Sequence, residues 1–166
     1  MWEEIMPSRY ATSETIRALS EIFEKHKNER ICVIGTMCCG KTTLIQQLRG
    51  YHCVDADDEF WPQISKKDTE RLSQKPITEE IIGTVCERMR EKITVKPGVP
   101  LFGITILDCE VVVYLDIAEQ LLEKHCKQRG DTTFMDALFV KKYIEKHWNN
   151  DKARSKKIFY DLMATE

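Results

Sequence analysis

The chain of 166 residues is 42% hydrophobic and 31% charged, which suits one folded domain with a sizeable core and excludes a disordered or fibrous polypeptide. Its formal net charge of −2 at pH 7 supplies no general attraction to nucleic acid or to an anionic membrane, so neither is expected as a partner and any anion site must be local. No apolar run approaches the roughly 18 residues of a membrane span, Met1-Trp2-Glu3-Glu4 lacks the basic start of a secretion signal, and a cytoplasmic setting is expected.

The first ten residues read as a loose arm. Behind a Ser13 cap, Ile16, Leu19, Ile22, Phe23 and His26 share one side of an amphipathic helix over 13–28, so residues 1–30 are expected to pack as an accessory on a main domain of residues 31–166. Ile31-Cys32-Val33-Ile34 is a short apolar run of the kind a buried parallel strand shows. From Lys41, the spacing of Leu44, Ile45 and Leu48 predicts a helix that stops at Gly50. Tyr51 to Val54 predicts a second strand, running into Asp55-Ala56-Asp57-Asp58-Glu59.

Beyond Phe60-Trp61-Pro62 and Pro76, a longer helix opening at Thr78 should bury Ile81, Ile82, Val85, Cys86, Met89 and Ile93, with Arg88 and Arg90 on its polar side. Pro97-Gly98 is a turn, and Val99 to Leu107 and Val111 to Leu115 predict two further strands. A helix from Ile117 should bury Leu121, Leu122 and His125 and end near Gly130. Thr133 and Asp136 resemble a capping box for the next, which carries Phe134, Ala137, Leu138, Lys141, Ile144 and Trp148 and closes at Asn149-Asn150-Asp151. Residues 158–162 predict a fifth strand. Strands joined by helical crossovers make an α/β fold, a parallel sheet covered on both faces. Cys32, Cys53 and Cys109 lie in or beside apolar runs as reduced thiols would, and seven cysteines without Cys-x-x-Cys, with no histidine in metal-like spacing, give no zinc site.

Gly35-Thr36-Met37-Cys38-Cys39-Gly40-Lys41-Thr42, with Thr43 behind it, matches the phosphate-binding loop pattern and sits between a predicted strand and a predicted helix. By composition alone such a match arises roughly 0.003 times in this chain, so coincidence is a poor explanation. The loop's backbone amides would face phosphate oxygens of ATP or GTP, helped by the positive end of the following helix. Lys41 would reach the β- and γ-phosphates, and the Thr42 hydroxyl would join the shell of a Mg2+ ion. Cys38 and Cys39 lend the loop backbone amides, or oxidisable thiols.

Asp55 and Asp57, two apart, would face the same side if the backbone there stayed extended, one orienting metal-bound water or substrate and the other taking a proton from an attacking hydroxyl; the alternative is a solvated acidic turn. Asp108, closing the third apolar run, is a second candidate beside Asp57 for the Mg2+ shell. Arg129, next to the hinge-like Gly130, is the first candidate for the cation that neutralises a transferring phosphoryl group, and Arg88 and Arg90 could grip an anionic acceptor.

The order of these parts resembles the small P-loop kinases, the nucleoside monophosphate kinase superfamily with the shikimate- and gluconate-kinase-like proteins. The resemblance rests on Gly35 to Thr42, the Asp55-x-Asp57 pair, a helical insert and Arg129, and its layout covers most of residues 31–162. It implies a three-layer fold with a five-stranded parallel sheet, ATP with Mg2+ as donor, a small-molecule acceptor over the second strand, and an arginine-bearing lid. Leu101 to Leu107 lacks the Asp-Gly-x-Pro-Arg motif of the adenylate-kinase type, which argues against a nucleoside monophosphate acceptor, and the lid is reduced to Arg129 to Thr132. A nucleotide-binding regulatory protein without phosphotransfer is the alternative. A GTPase-type switch lacks its Asp-x-x-Gly and has Asn149-Asn150-Asp151-Lys152 in the wrong order.

Overall fold

A computed structural model describes residues 2–150 and 155–162. Five parallel strands form one sheet in the order β2 (Val54–Asp55), β3 (Leu101–Gly103), β1 (Ile31–Ile34), β4 (Val111–Asp116) and β5 (Lys156–Asp161). Every residue of β1, and every residue of β4 up to Leu115, is buried, which is why these segments read as unbroken apolar runs rather than as alternating ones.

Helices cover both faces. On one face, Leu19 and Phe23 of α1 (Trp2–Lys25), Leu44 of α2 (Lys41–Gln47) and Leu121, Leu122 and Cys126 of α6 (Glu119–Arg129) join Ile31, Val33, Val111 and Val113 in one core. On the other, Phe60 of α3 (Ala56–Phe60), Leu72 of α4 (Lys66–Leu72), four residues of α5 (Glu79–Lys92) and Val140 and Ile144 of α7 (Phe134–Asn150) pack on Cys32, Ile34, Val112 and Tyr114. The alternation of β1 side chains between the two cores is the period-two geometry of a strand covered on both sides.

Local chemistry explains the helix boundaries. Thr78 caps α5, its hydroxyl accepting from the Ile81 amide at 3.2 Å, and Gly130, at φ 79°, ends α6 in the left-handed conformation that glycine adopts freely. The Thr133 hydroxyl accepts from the Asp136 amide at 3.1 Å, the first half of the expected capping box. Asp136 does not complete the box; its carboxylate accepts from the Ile77 amide at 2.9 Å and ties the α4–α5 connection to α7.

Three expectations are corrected. The first ten residues are no loose arm, because α1 runs without a break from Trp2 and passes through Ser13. Of Val99 to Leu107 only Leu101–Gly103 is strand. Since β3 and β4 flank β1 in parallel, the chain must return to the opposite edge between them, and residues 104–110 make that return without a helix; Ile106 and Leu107 pack on the sheet where a helix would lie. The second strand is two residues long, Tyr51 closing a short 3-10 turn instead. The predicted helix end at Asp151 lies outside the described residues, Asn150 being the last of α7.

Candidate functional site

The C-terminal edge of a parallel sheet is where open α/β folds gather ligand-binding loops, and the loop of residues 35–43, Asp55, Asp57 and Arg129 lie there. The loop leaves β1 at Gly35, whose amide donates to the Gly103 carbonyl at the end of β3 at 3.0 Å. The buried Thr36 hydroxyl donates to the Ala137 carbonyl of α7 at 2.6 Å. One residue further on lies Met37, and the Cys38 carbonyl then meets His125 Nδ1 of α6 at 2.9 Å. The loop is therefore pinned to β3, α7 and α6 by long-range bonds that spacing along the chain could not reveal.

The loop's shape follows from two positive φ angles, 65° at Cys38 and 103° at Gly40. Cys38 bears a β-carbon and occupies a region that such residues rarely visit, so surrounding contacts hold it there. Among the described residues, the amides of Met37, Cys38, Gly40 and Lys41 donate to no backbone oxygen, while that of Cys39 makes a long 3.4 Å bond to the Thr36 carbonyl. Amides without a backbone partner in a turn are what a phosphate accepts from, although that of Lys41 also faces the Cys39 sulfur. The seven residues of α2 form a short helix, so these amides count for more than the macrodipole invoked from sequence. Lys41 Nζ bends back onto the carbonyls of Gly35 and Thr36, and Thr42 and Thr43 expose their side chains on the first turn of α2.

Asp55 ends β2 at the same edge. Its Oδ1 accepts from the Asp57 amide at 2.9 Å, making Asp55 the N-cap of α3. This corrects the premise of an extended Asp55-x-Asp57: Asp57 already lies in a helix, and the pair is arranged by the cap, not by strand alternation. Burial raises the Asp55 pKa, the Asp57 amide and Lys41 lower it, and the carboxylates of Asp57 and Asp58 add to the rise. Asp57 is exposed and accepts from Trp61 Nε1 at 3.3 Å. Gly103 lets α3 approach: a β-carbon there would stand 3.1 Å from that of Ala56.

Arg129 reaches the loop from the end of α6, its Nη1 donating to Cys38 Sγ at 3.7 Å while its Nε pairs with Asp131 at 2.9 Å. Only residues 130–133 join α6 to α7, so the lid is as short as the sequence implies. Asp108 is not part of this site. It precedes β4, at the opposite edge of the sheet, where its exposed carboxylate pairs with Arg30 at 2.9 Å, away from any metal ion at the sheet's top. Arg88 is neutralised by Asp68 at 3.0 Å, and Arg90 donates to the Thr105 hydroxyl at 3.3 Å. The end of β3 passes through Gly103, Ile104 and Thr105 with no carboxylate. Among the described residues no group of three acidic, histidine or cysteine side chains could hold a metal ion unaided. The donors present, the Thr42 hydroxyl and the carboxylates of Asp55 and Asp57, are hard oxygens that suit Mg2+ brought in by a nucleotide. A separate cavity of 360 Å³, lined among others by Ile34, Arg90, Thr105, Tyr143 and Trp148, opens on the α5–α7 face and includes none of residues 35–43.

Sequence reasoning missed His125, Gly103 and Ala137 as parts of the site. The first was assigned to the core by helical spacing, and the other two act through backbone atoms that leave no mark in side-chain identity.

No protein-family model matches the chain, and no curated protein matches it. Among solved structures it is similar to a gluconokinase from Sinorhizobium meliloti 1021, at 14% identity over 84% of this chain and 88% of that one, with a TM-score of 0.46. No helix among the described residues is long and apolar enough to cross a membrane. The chain is an α/β protein with a five-stranded parallel sheet between two helical layers and a phosphate-loop motif at the sheet's C-terminal edge.

Proposed function

We propose that this protein is an ATP-dependent small-molecule kinase that transfers the γ-phosphate to a hydroxyl or phosphate of a nucleotide-like or other small metabolite. The observation that carries the reading is convergence. The loop amides without a backbone partner, Lys41, the half-buried Asp55 with exposed Asp57, and Arg129 all reach one sheet edge from β1, β2 and α6.

In this reading the amides of Met37, Cys38, Gly40 and Lys41 hold the phosphates, and Lys41 exchanges its carbonyl partners for β- and γ-phosphate oxygens. Thr42 and Asp57 would hold a Mg2+ ion arriving with the nucleotide, and that ion would supply positive charge against the transferring phosphoryl group. Asp55 spends Oδ1 on capping α3, which leaves Oδ2 to take the proton from an acceptor hydroxyl as its oxygen bonds to the γ-phosphorus and the bond to the β-phosphate oxygen breaks. The burial that raises the Asp55 pKa makes it a better proton acceptor than a solvated carboxylate. Arg129 would leave Cys38 or Asp131 for the equatorial phosphate oxygens.

The test is a coupled ADP-release assay on the full chain with ATP and Mg2+, offered a panel of nucleosides, nucleotides and sugar acids. At least one acceptor should raise ADP release above the background hydrolysis. Lys41→Met should weaken nucleotide binding by about 10- to 100-fold through the lost charged hydrogen bonds, with at most a small fall in melting temperature from freeing the Gly35 and Thr36 carbonyls. Tight ATP binding with no turnover on any acceptor would instead favour a nucleotide-binding regulatory protein. That second reading is supported by the end of β3, which carries no carboxylate, and by the four-residue connection at Gly130 that replaces a lid.

A further inference from the structure

Phosphate chemistry needs the backbone of Cys38 and has no use for its thiol. That thiol is nonetheless placed with care. Cys38 sits at φ 65° with its carbonyl held by His125, its sulfur receives Arg129 Nη1 at 3.7 Å, and the Cys126 thiol lies near enough for the Cys38 sulfur to raise its pKa. His125, Cys126 and Arg129 all belong to α6, so the helix that holds the loop's central residue through His125 and Arg129 also carries Cys126 between them. Both sulfurs belong to the same core cluster, with Cys38 at 8% exposure against 3% for Cys126, and all seven cysteines are free.

We propose that Cys38 and Cys126 are a peroxide-responsive pair whose disulfide clamps the phosphate loop to α6 and closes the nucleotide site. The consequence for binding rests on the nucleotide reading above; the pairing does not. Cys38, the more accessible sulfur with a guanidinium beside it, attacks one oxygen of hydrogen peroxide. The O–O bond breaks, a sulfenic acid forms on Cys38, and the departing hydroxide takes a proton to leave as water. The Cys126 sulfur then attacks the Cys38 sulfur, the S–O bond breaks, and the hydroxyl leaves with the Cys126 proton as a second water. Two thiols lose two electrons and peroxide gains them.

The order of events follows from the environments. Burial, with the neighbouring Cys38 sulfur next, pushes the Cys126 thiol up to about 12, so it stays protonated and acts as the resolving partner. An S–S bond is about 2.05 Å long, much shorter than a thiol–thiol hydrogen bond, so forming it draws Cys38 toward α6. The Cys38 amide then leaves the ring of phosphate donors, and Arg129 loses its sulfur partner. A second pair of neighbouring thiols, Cys32 of β1 and Cys109 just before β4, lies outside the loop.

The experiment treats the reduced full chain with hydrogen peroxide, maps its disulfides by non-reducing peptide mass spectrometry, and measures a fluorescent ATP analogue by anisotropy. The expected result is a Cys38–Cys126 cross-link, affinity at least about tenfold weaker, as loss of one charged or loop hydrogen bond implies, and recovery with dithiothreitol. Cys126→Ser should bind as the reduced wild type does and keep its affinity after peroxide; Cys126→Ala serves the same purpose if the buried hydroxyl disturbs folding. A map with only Cys32–Cys109 linked, or none, overturns the proposal, as does a Cys38–Cys126 cross-link with unchanged affinity. If the reduced protein binds no ATP analogue, the nucleotide reading fails and the map alone decides the pairing.

Discussion

Replacing Asp55 separates its two roles. The side chain caps α3 through a 2.9 Å bond from the Asp57 amide, and its carboxylate is held half-buried at a raised pKa, chiefly by desolvation. Asn caps as well as Asp, whereas Ala at an N-cap costs about 1 kcal/mol. The sign of the charge contribution follows from linkage. A carboxyl whose pKa is higher in the folded state binds its proton more tightly there, so its contribution to stability falls as pH rises from the unfolded value, about 3.9, to the folded one. At pH 7 the full penalty for the charge is in place, and Asp55→Asn removes it. Asp55→Asn should therefore melt at or above the wild type at pH 7, and Asp55→Ala about 2–4 °C below Asp55→Asn, as about 1 kcal/mol implies for a domain of this size. Both variants should bind the ATP analogue normally, and both should lose about 10²- to 10⁴-fold in phosphoryl transfer if Asp55 is the proton acceptor. Scanning calorimetry at pH 4 to 8 together with the ADP-release assay makes the check. An Asp55→Asn melting temperature as low as that of Asp55→Ala would refute the cap and desolvation argument, and wild-type turnover in Asp55→Asn would refute the general base.

Other substitutions probe the pins of the loop. Thr36→Val removes the 2.6 Å bond to Ala137 and should cost about 1 kcal/mol, read as a lower urea midpoint with weaker nucleotide binding. Gly35→Ala places a β-carbon 2.7 Å from Cys39 Sγ and 3.4 Å from Leu115, a crowding worth about 1–3 kcal/mol; adding Cys39→Ala should recover most of the lost melting temperature. At the far edge, Arg30 holds the Glu110 carboxyl below its usual range, so the stability that pair contributes is present above the ordinary glutamate pKa and lost as pH falls through the lower folded value. Glu110→Gln should flatten the acid side of the stability profile, measured by urea titrations from pH 3 to 7, and leave nucleotide binding unchanged.

The motif, the five strands in their chain order and the helices α2, α5, α6 and α7 were legible in the amino-acid sequence because each depends on neighbours close in the chain; the short helices α3 and α4 were not. The apolar run Ile31–Ile34 meets Gly35, Lys41 opens a helix, Thr78 caps α5 and Gly130 ends α6, and all four stand in the structure as their residue types require. Arg129 was singled out from its place beside a hinge glycine, and its guanidinium lies against Cys38 of the loop. Periodicity also misled where two structures share one pattern. The apolar stretch from Val99 to Leu107 suits strand and buried crossover equally, and only the need of a parallel sheet to return the chain to its opposite edge divides it at Gly103.

What tertiary structure alone decided are contacts between residues far apart in the chain. Asp108 looked like a site residue because it follows an apolar run, yet the crossover carries it down to Arg30. His125 was assigned to the core by helical spacing and in fact holds the Cys38 carbonyl. The meeting of Cys38 with Cys126 and Arg129 spans about ninety residues. A sequence records side-chain types and their local period; where the sheet order places each strand end, and which backbone atoms a distant helix reaches, is set by packing of the whole chain.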